Sequence, residues 1–526
     1  MTAIITDFLK LQNCNNFISD IKRSETNPSS TNYYIFIGFP NSDSYYTNWD
    51  SNIQNPTDNF TYLNSYRESI LGVKRISSSD VIRVIPKIEW KTGTRYDMYR
   101  HDYSSSNSAK NSGLLALYDA NYYVITDEYK VYICINNGAS SANSFKGNSA
   151  TSKPIHTDPN EYTDRGDGYV WKYLYTVSPG DYIKFDSTNY ISVPNDWLTT
   201  TNASISEVRD SAIDGAIRAV IIEKPTKYLN ITSSVICDIK GDGTGATAAV
   251  QFDSEGYPSK VTILTAGFGY TYATLDLDSV VSSYDANNKT IFNVIIPPPG
   301  GHGYDAYKEL GAYRVLVYSR IENSSTDPDF IIGNQFSRVG IIKDLKSYGS
   351  SSGLFTASTG SGLYGLALSG NATGESLDVL IQQPTSNAKG FLTSKELISS
   401  VTIVKYIQPR ENYVDTYYNT IVSKSFDPYL NSSYAGITTS SSYNFSEFDN
   451  SNVRVYNSGN TSFNTYSISN VNGSQYNTVY LGQYFNNGVS KPDINTKSGE
   501  ILYVDNRSSV TRQVDQREDI KIIIEF

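Results

Sequence analysis

Histidine is scarce in this chain, which limits the acid–base and metal chemistry that its residues can perform. The three histidines are His101, His156 and His302. None of them lies at metal-ligand spacing from another, and no Gly-x-Ser-x-Gly motif marks an activated serine. The sequence therefore predicts neither a histidine-based metal centre nor a histidine-dependent nucleophile, and we expect no cofactor.

The carboxylates that come nearest to a catalytic pair are Asp164 and Asp167, which precede Trp171. Glycosidases use two carboxyl groups that meet in space, so this pair is a possible acid and base. A hydrogen-bonded turn accounts for both residues equally well, because Gly166 and Gly168 flank Asp167 and favour a tight turn. We favour the turn and predict that the chain is not an enzyme.

A glycine cluster at residues 241–245 has the composition of a phosphate-binding loop. Such a loop ends in Gly-Lys-Ser/Thr and continues into a helix. Here the cluster ends in Gly-Ala-Thr, and the residues that follow have the pattern of a strand. The cluster is therefore interpreted as a turn between strands, where glycine adopts the required positive φ.

The composition indicates a β-rich protein. The chain of 526 residues has 44 tyrosines against 43 lysines and arginines, 13% aromatic residues and a net charge of −10. Tyrosine, isoleucine, valine and threonine suit a pleated sheet. No basic stripe is present for nucleic acid, and no apolar run approaches the roughly 20 residues that span a bilayer. The scattered cysteines, Cys14, Cys134 and Cys237, are expected to be buried thiols in a protein made in a reducing cytosol.

Hydrophobic periodicity places the elements that position these residues. Helices are predicted over residues 6–22 and 60–70. Strands are predicted over residues 33–39, 81–86, 169–177 and 520–526, with a pair of strands over 121–135.

Three further patterns indicate how the chain is divided. Residues 217–277 contain a weak repeat with an offset of 42, from Ala219 and Tyr228 to Val261 and Tyr270. A Pro-Pro-Pro-Gly-Gly segment then marks a candidate boundary. The Gly/Ser-rich segment 347–374 and the Ser/Asn/Tyr-rich segment 431–452 are predicted to be long loops or edges of an inserted β region.

Four blocks of the sequence resemble the dimeric baseplate wedge subunit, the gene-eight product, of T-even-like contractile-tailed bacteriophages. The most specific is Gly-Asp-Gly-Tyr-Val-Trp-Lys-Tyr-Leu at 166–174. The others are 85–97, with Ile-Pro, Trp and Thr-Arg-Tyr, then 333–342 and 498–507. The candidates in these blocks for fixing the core, or for forming an interface, are Trp90, Arg95, Tyr96, Gly168, Tyr169, Trp171, Tyr173, Gly333, Arg338 and Tyr503.

The resemblance implies a mainly β fold, with a β-sandwich core, helix-bearing loops and two β-rich insertions. The core would comprise residues 1–205, 301–346 and 491–526. The insertions would be 206–300, which carries the weak repeat, and 347–490, which is rich in Ser, Gly and Tyr.

The resemblance also implies a structural role in the virion. Members of the family form homodimers in the tail baseplate, assembled in the host cytoplasm. They bridge neighbouring wedge subunits, including the one that anchors the short tail fibres, and these joints rearrange when the baseplate triggers contraction. The alternative is a carbohydrate- or receptor-binding β module of a tail fibre or adhesin, which the Tyr/Ser/Asn-rich insertions favour.

Overall fold

The computed structural model describes residues 4–27, 29–39, 49–162, 164–229, 231, 233–277, 280–281, 289–322, 330, 333–350, 352–386, 388–408, 448–473, 484–513 and 516–526. Strands make up 39% of the structure and helices 14%. The sheets are antiparallel. A mainly β fold is therefore confirmed.

The elements are numbered in chain order. The α-helices are α1 (Asp7–Thr26), α2 (Phe60–Glu68), α3 (Pro179–Phe185), α4 (Ala203–Asp210) and α5 (Ala306–Leu310). The first strands are β1 (Tyr33–Gly38), β2 (Ile70–Arg75), β3 (Val81–Pro86), β4 (Tyr123–Ile125), β5 (Lys130–Asn137), β6 (Tyr169–Thr176), β7 (Tyr190–Val193), β8 (Ala219–Lys224), β9 (Val235–Gly241), β10 (Thr244–Phe252), β11 (Pro258–Phe268), β12 (Ala273–Leu275) and β13 (Ile291–Ile295). The remaining strands are β14 (Arg314–Glu322), β15 (Gln335–Lys343), β16 (Thr359–Ser361), β17 (Tyr364–Ser369), β18 (Leu380–Gln382), β19 (Lys389–Ile398), β20 (Val401–Ile407), β21 (Val453–Tyr456), β22 (Phe463–Tyr466), β23 (Phe485–Asn486), β24 (Val489–Ser490), β25 (Glu500–Thr511) and β26 (Arg517–Glu525).

The chain divides into two compact units. Unit 1 comprises residues 1–16, 82–316 and 522–526, and unit 2 comprises 17–81 and 317–521. The boundaries expected at 205/206 and 300/301 fall inside unit 1, and those at 346/347 and 490/491 fall inside unit 2. The predicted division distinguishes a family core from its insertions, and it stays a prediction.

Unit 1 contains two apolar cores. The larger surrounds the sheet β4-β5-β6 and buries aromatic residues that include Tyr132, Trp171 and Trp197. The smaller lies between the four-stranded sheet β11-β10-β9-β12 and the pair β13-β8. Strand β10 shows the period-2 pattern that produces this second core, because Ala248 and Val250 point inward and alternate with less buried residues.

Unit 2 contains a five-stranded sheet, β16-β2-β1-β15-β25, and an eight-stranded sheet, β22-β21-β18-β19-β20-β17-β24-β23. Strand β1 lies between β2 and β15, and all six of its residues are buried. This burial explains why its sequence is a continuous apolar and aromatic run rather than an alternating one. Strand β15 pairs with β25, which places Ile341 opposite Tyr503.

Most of the predicted elements are confirmed. The helices correspond to α1 and α2, and the strands correspond to β1, β3, β4, β5, β6 and β26. Within 347–374 the loop prediction is wrong for β17. This strand pairs with β20 and β24 and buries Leu366 and Leu368. Of the segment 431–452, residues 431–447 lie outside the described part of the chain.

Candidate functional site

Three of the predicted residues, Tyr96, Tyr169 and Trp171, form one buried aromatic cluster in unit 1. The rings of Tyr169 and Trp171 are stacked, with centroids 5.3 Å apart and an interplanar angle of 7°. Tyr96 meets Trp171 edge to face at 5.7 Å. Offset stacks and edge contacts are the favoured geometries of aromatic pairs. These side chains therefore stabilise the core rather than face a partner.

Hydrogen bonds join the two blocks that supply this cluster. The main-chain amide of Tyr96 donates to the Tyr169 hydroxyl at 2.9 Å, and that hydroxyl donates to the carbonyl of Asn148 at 2.8 Å. The Tyr96 hydroxyl donates to the carbonyl of Glu89 at 2.9 Å and accepts from the amide of Lys91 at 2.6 Å. Both phenols are thus satisfied inside the core, as buried polar groups require.

The aspartates of the Gly-Asp-Gly block hold the main chain. Asp167 is buried, and its Oδ2 accepts from the amides of Thr151 and Ser152, both at 2.9 Å. Asp164 Oδ1 accepts from the amides of Gly166 and Gly168, both at 2.8 Å. Carboxylates that accept several main-chain N–H groups stabilise a turn. The hydrogen bonds of Asp164 and Asp167 therefore account for both carboxylates as residues that stabilise the main chain.

Gly168 is at a position that only glycine fits. Its φ is +87°, a value that L side chains rarely adopt. A Cβ atom there would lie 2.6 Å from Asn148 Nδ2 and 3.1 Å from the Cα of Gly138. The close approach allows Asn148 Nδ2 to donate to the carbonyl of Asp167 at 2.8 Å, which closes the loop under the aromatic cluster.

The other predicted residues of unit 1 have different environments. Trp90 is half-buried and packs against the larger core, whereas Arg95 is exposed. Tyr173 is buried, with its ring 5.7 Å from that of Tyr132 and its hydroxyl 2.9 Å from Thr176 Oγ1. Among Trp90, Arg95 and Tyr173, only the side chain of Arg95 is exposed on the surface of unit 1.

The predicted residues of unit 2 are organised around a buried cation. Arg338 Nη1 donates to Ser69 Oγ at 2.7 Å, and its Nε donates to Asn506 Oδ1 at 2.8 Å. Its guanidinium also lies 4.3 Å from the ring centre of Tyr66. Gly333 has a φ of +69° and donates its amide to the carbonyl of Arg512 at 2.9 Å. These residues connect β15 to elements that are distant in sequence.

Tyr503 takes part in the same sheet through its backbone. It is half-buried on β25, opposite Ile341 of β15. Burial raises the pKa of its phenol, and nearby Asp505 raises it further. The side chain therefore stays protonated and neutral at physiological pH.

The sequence did not reveal a buried ionisable cluster in unit 1. His302 Nδ1 lies 2.5 Å from Glu309 Oε1, and the amide of Gly303 donates to Glu309 Oε2 at 2.7 Å. Both side chains are almost fully buried, and the ring of Tyr99 stands edge-on to the imidazole at 4.8 Å. Helix α5 positions Glu309, since Asp305 caps the helix start and Gly311 ends it with a φ of 63°. The aspartate at the helix start and the glycine at its end are recognisable helix signals in the sequence. No sequence signal indicates the contact between His302 and Glu309.

Lys172 lies in the same part of unit 1. Its ammonium donates to the carbonyl of Pro159 at 2.7 Å and lies 5.1 Å from the ring centre of Tyr162. Burial lowers the pKa of Lys172 to about 8, although the nearby charge of Glu309 acts in the opposite direction. Desolvation disfavours the charged form of a buried lysine, so this residue makes stability depend on pH.

A cavity of about 370 Å³ lies beside the Gly-Asp-Gly block in unit 1. Its lining includes Gly168, which directly precedes β6, Val170 of β6, and residues of β8 and β11. Arg218, Lys260 and Asp164 supply charged groups to its wall. The volume is in the lower part of the range of small-molecule pockets.

Two further properties of the described residues bear on the candidate functions. No group of three or more His, Cys, Asp or Glu side chains could hold a metal ion in this part of the chain. Across the same ranges, no helix has both the length and the apolar character needed to cross a membrane. A comparison with known protein families and with curated protein sequences finds no match.

Proposed function

We propose that this chain is a structural subunit of a phage contractile-tail baseplate wedge and that it acts by protein–protein contact. It would form a homodimer and bind other wedge proteins, including the subunit that anchors the short tail fibres. The observation that carries the proposal is the spatial arrangement of the four blocks that resemble the wedge subunit.

The four blocks meet as two pairs. Block 85–97 contacts block 166–174 through the hydrogen bond from Tyr96 to Tyr169. Block 333–342 pairs along its strand with block 498–507, in a register that includes Ile341 with Tyr503. Sequence similarity that maps onto mutually packed segments supports a shared core better than similarity scattered over a surface. At these contacts Tyr96, Tyr169 and Ile341 are buried, as expected for residues that maintain a fold.

An exposed apolar surface near the start of α1 supports an interaction role. Ile5, Phe8 and Leu9 are 68%, 64% and 47% exposed, respectively. Contiguous exposed apolar side chains mark interaction surfaces in soluble proteins. A subunit held between neighbours in an assembly would bury such a surface, so this end of α1 is the contact surface that we assign to a wedge partner or to the second copy.

The proposed mechanism is mechanical. Stable assembly interfaces bury about 2,000 Å² or more and depend on a few well-packed anchors. Phe8 and the exposed Arg95 are suited to anchor such contacts, whereas Tyr96 and Trp171 would keep the subunit rigid behind them. Contraction would then change the joints between subunits while the cores stay intact.

The test is co-expression of the chain with the other tail proteins of the same phage, followed by isolation of the complex. We expect a stoichiometric complex that Phe8→Asp or Arg95→Glu weakens without lowering the thermal stability of the chain. Lys240→Glu is the matched control, because Lys240 is an exposed cation of unit 1 that belongs neither to the four blocks nor to α1. Failure of every tail protein to bind the chain would contradict the proposal.

A second candidate function has its own observation. Phe268 and Tyr272, in the segment 206–300, are 59% and 64% exposed. Exposed aromatic rings can stack on sugars, so a carbohydrate- or receptor-binding module of a tail fibre or adhesin is the alternative. Binding of host glycans that Tyr272→Ala abolishes, with no affinity for tail proteins, would favour this alternative.

A further inference from the structure

We propose that the 370 Å³ cavity of unit 1 binds a small molecule that carries a single carboxylate, with Arg218 as its anchor. This inference is independent of the structural role proposed above. It rests on the shape of the cavity, on the charges in its wall and on the apolar side chains beside them.

The cavity lies where two strand edges face each other without pairing. Strand β8 is hydrogen-bonded to β13, and β11 is the terminal strand of the four-stranded sheet. The amide of Ile217 donates to the carbonyl of Ala266 at 2.9 Å and ties the chain before β8 to β11. Beyond that bond both strands line the cavity. Unpaired strand edges present main-chain N–H groups, which are donors for an anion.

Arg218 is the cation that lacks a compensating charge. Its guanidinium lies 3.9 Å from the ring centre of Tyr162, which holds it in place by a cation–π contact. Among the residues that the structure describes, no carboxylate forms an ion pair with Arg218. The other cation of the wall, Lys260, has Asp164 Oδ2 at 3.9 Å from its Nζ. The charged groups of the wall therefore sum to one net positive charge.

The net positive charge of the wall and the paired N–H donors of the Arg218 guanidinium indicate which chemical group of a ligand would bind here. The planar donors of arginine match the two oxygens of a carboxylate, and such a bidentate pair is stronger than a neutral hydrogen bond. A single carboxylate neutralises the site, whereas a doubly charged anion would exceed its charge. The chain carries a net charge of −10, so an anion is attracted here only by this local excess of positive charge.

The rest of the wall defines the body of the ligand. Val170, Val220 and Leu264 contribute aliphatic surface, and Asn136 and Thr262 contribute polar groups. A cavity near the lower end of the pocket range accommodates a body of about the size of a hexose or a six-carbon chain. The carboxylate is common to a short-chain fatty acid and a sugar acid, and the experiment separates these two sources.

The experiment is calorimetric titration of the full chain with hexanoate and with glucuronate, each paired with its neutral counterpart, hexanamide or glucose. We expect at least one acid to bind and its neutral counterpart not to bind. Arg218→Met should weaken that binding by about tenfold or more, which corresponds to about 1.4 kcal/mol. Lys240→Met is the matched control, because it removes a cation of the same segment that does not line the cavity.

Each outcome decides the proposal. Binding of hexanoate alone assigns an aliphatic acid, and binding of glucuronate alone assigns a sugar acid. Absence of binding by both acids overturns the proposal. Equal binding of an acid and its neutral counterpart, or binding that Arg218→Met and Lys240→Met affect equally, also overturns it. Thermal unfolding of Arg218→Met verifies that the variant is folded, and Lys260→Met provides a second cavity variant with a smaller expected loss.

Discussion

The main-chain amide of Tyr96 donates a hydrogen bond to the hydroxyl of Tyr169, which lies 73 residues further along the chain. The bond holds the loop that follows β3 against the start of β6, directly beside the stacked ring of Trp171. The Tyr169 hydroxyl also donates a hydrogen bond to the main-chain carbonyl of Asn148. The hydroxyl therefore joins two main-chain groups, one as acceptor and one as donor.

Replacing Tyr169 by phenylalanine should destabilise unit 1. The change leaves the amide of Tyr96 and the carbonyl of Asn148 without their partner, while the ring stack is retained. An unsatisfied buried polar group costs about 1–3 kcal/mol, so the free energy of unfolding should fall by about 2 kcal/mol. Denaturant unfolding followed by tryptophan fluorescence measures the change. Tyr272→Phe, at an exposed tyrosine, is the control, and an equal effect of the two variants would refute the role of the hydroxyl.

Replacing Asp167 by asparagine should also destabilise unit 1. The carboxylate accepts from the amides of Thr151, Ser152 and Tyr169, and an amide side chain offers one acceptor oxygen instead of two. We expect a loss of about 2 kcal/mol in the free energy of unfolding. Glu255→Gln, at an exposed position, is the control. A stable Asp167→Asn variant that lost hydrolysis of a surface polysaccharide would instead support an enzyme.

The sequence was sufficient for elements whose signal is local. Helix α1 and strand β6 follow from apolar spacing, and the turn before β6 follows from its glycines and aspartates. Contacts between distant segments were not predictable in this way. Arg338 and Asn506 are 168 residues apart, and the hydrogen bond between them depends on the register of β15 with β25. No periodicity encodes that register.

The ionisable groups of the candidate site were missed for a related reason. His302 and Glu309 are only seven residues apart, but their pairing requires the reversal made by the turn before α5. No sequence motif marks Arg218, because neither the contact with Tyr162 nor the cavity that it shares with β11 can be inferred from its neighbours in sequence. The charge of a residue is visible in a sequence, but its surroundings are not.

Lys172 should make the stability of unit 1 rise with pH in alkaline solution. Its pKa in the folded chain is about 8, against an ordinary value of 10.5. Between these values the unfolded chain binds more protons at this residue than the folded chain, so the free energy of unfolding increases with pH. Below about pH 8 both states are protonated, and the destabilising contribution of the buried charge is then fully present.

The measurement compares the wild type with Lys172→Met by denaturant unfolding from about pH 8 to about pH 9.5, and the ionisation of tyrosines at the upper end of this range is common to both proteins. The wild type should gain stability relative to the variant by up to about 1.4 kcal/mol per pH unit. Burial also lowers the pKa of Lys405 in unit 2 to about 8, but that contribution is common to both proteins. Parallel curves for the two proteins would contradict the assignment.

Replacing Arg338 by methionine should destabilise unit 2. The variant keeps most of the side-chain volume but leaves Ser69 and Asn506 without their charged donor and removes the contact with Tyr66. A hydrogen bond to a charged group contributes about 1.5–3 kcal/mol to stability, so we expect the free energy of unfolding of unit 2 to fall by about 3 kcal/mol. Hydrogen exchange of the amides of β15 and β25 reports it. Arg507→Met removes a half-exposed arginine whose ion pair is with Asp505, and its effect should be below about 1 kcal/mol.

We have proposed that the chain is a dimeric subunit of a baseplate wedge. The most direct test is light scattering on the purified chain and on the complex recovered after co-expression with the other tail proteins of its phage. We expect a mass of two chains for the purified protein, and a larger complex that contains two copies together with at least one wedge protein. A mass of three chains, with no tail protein bound, would contradict the proposed dimeric wedge subunit.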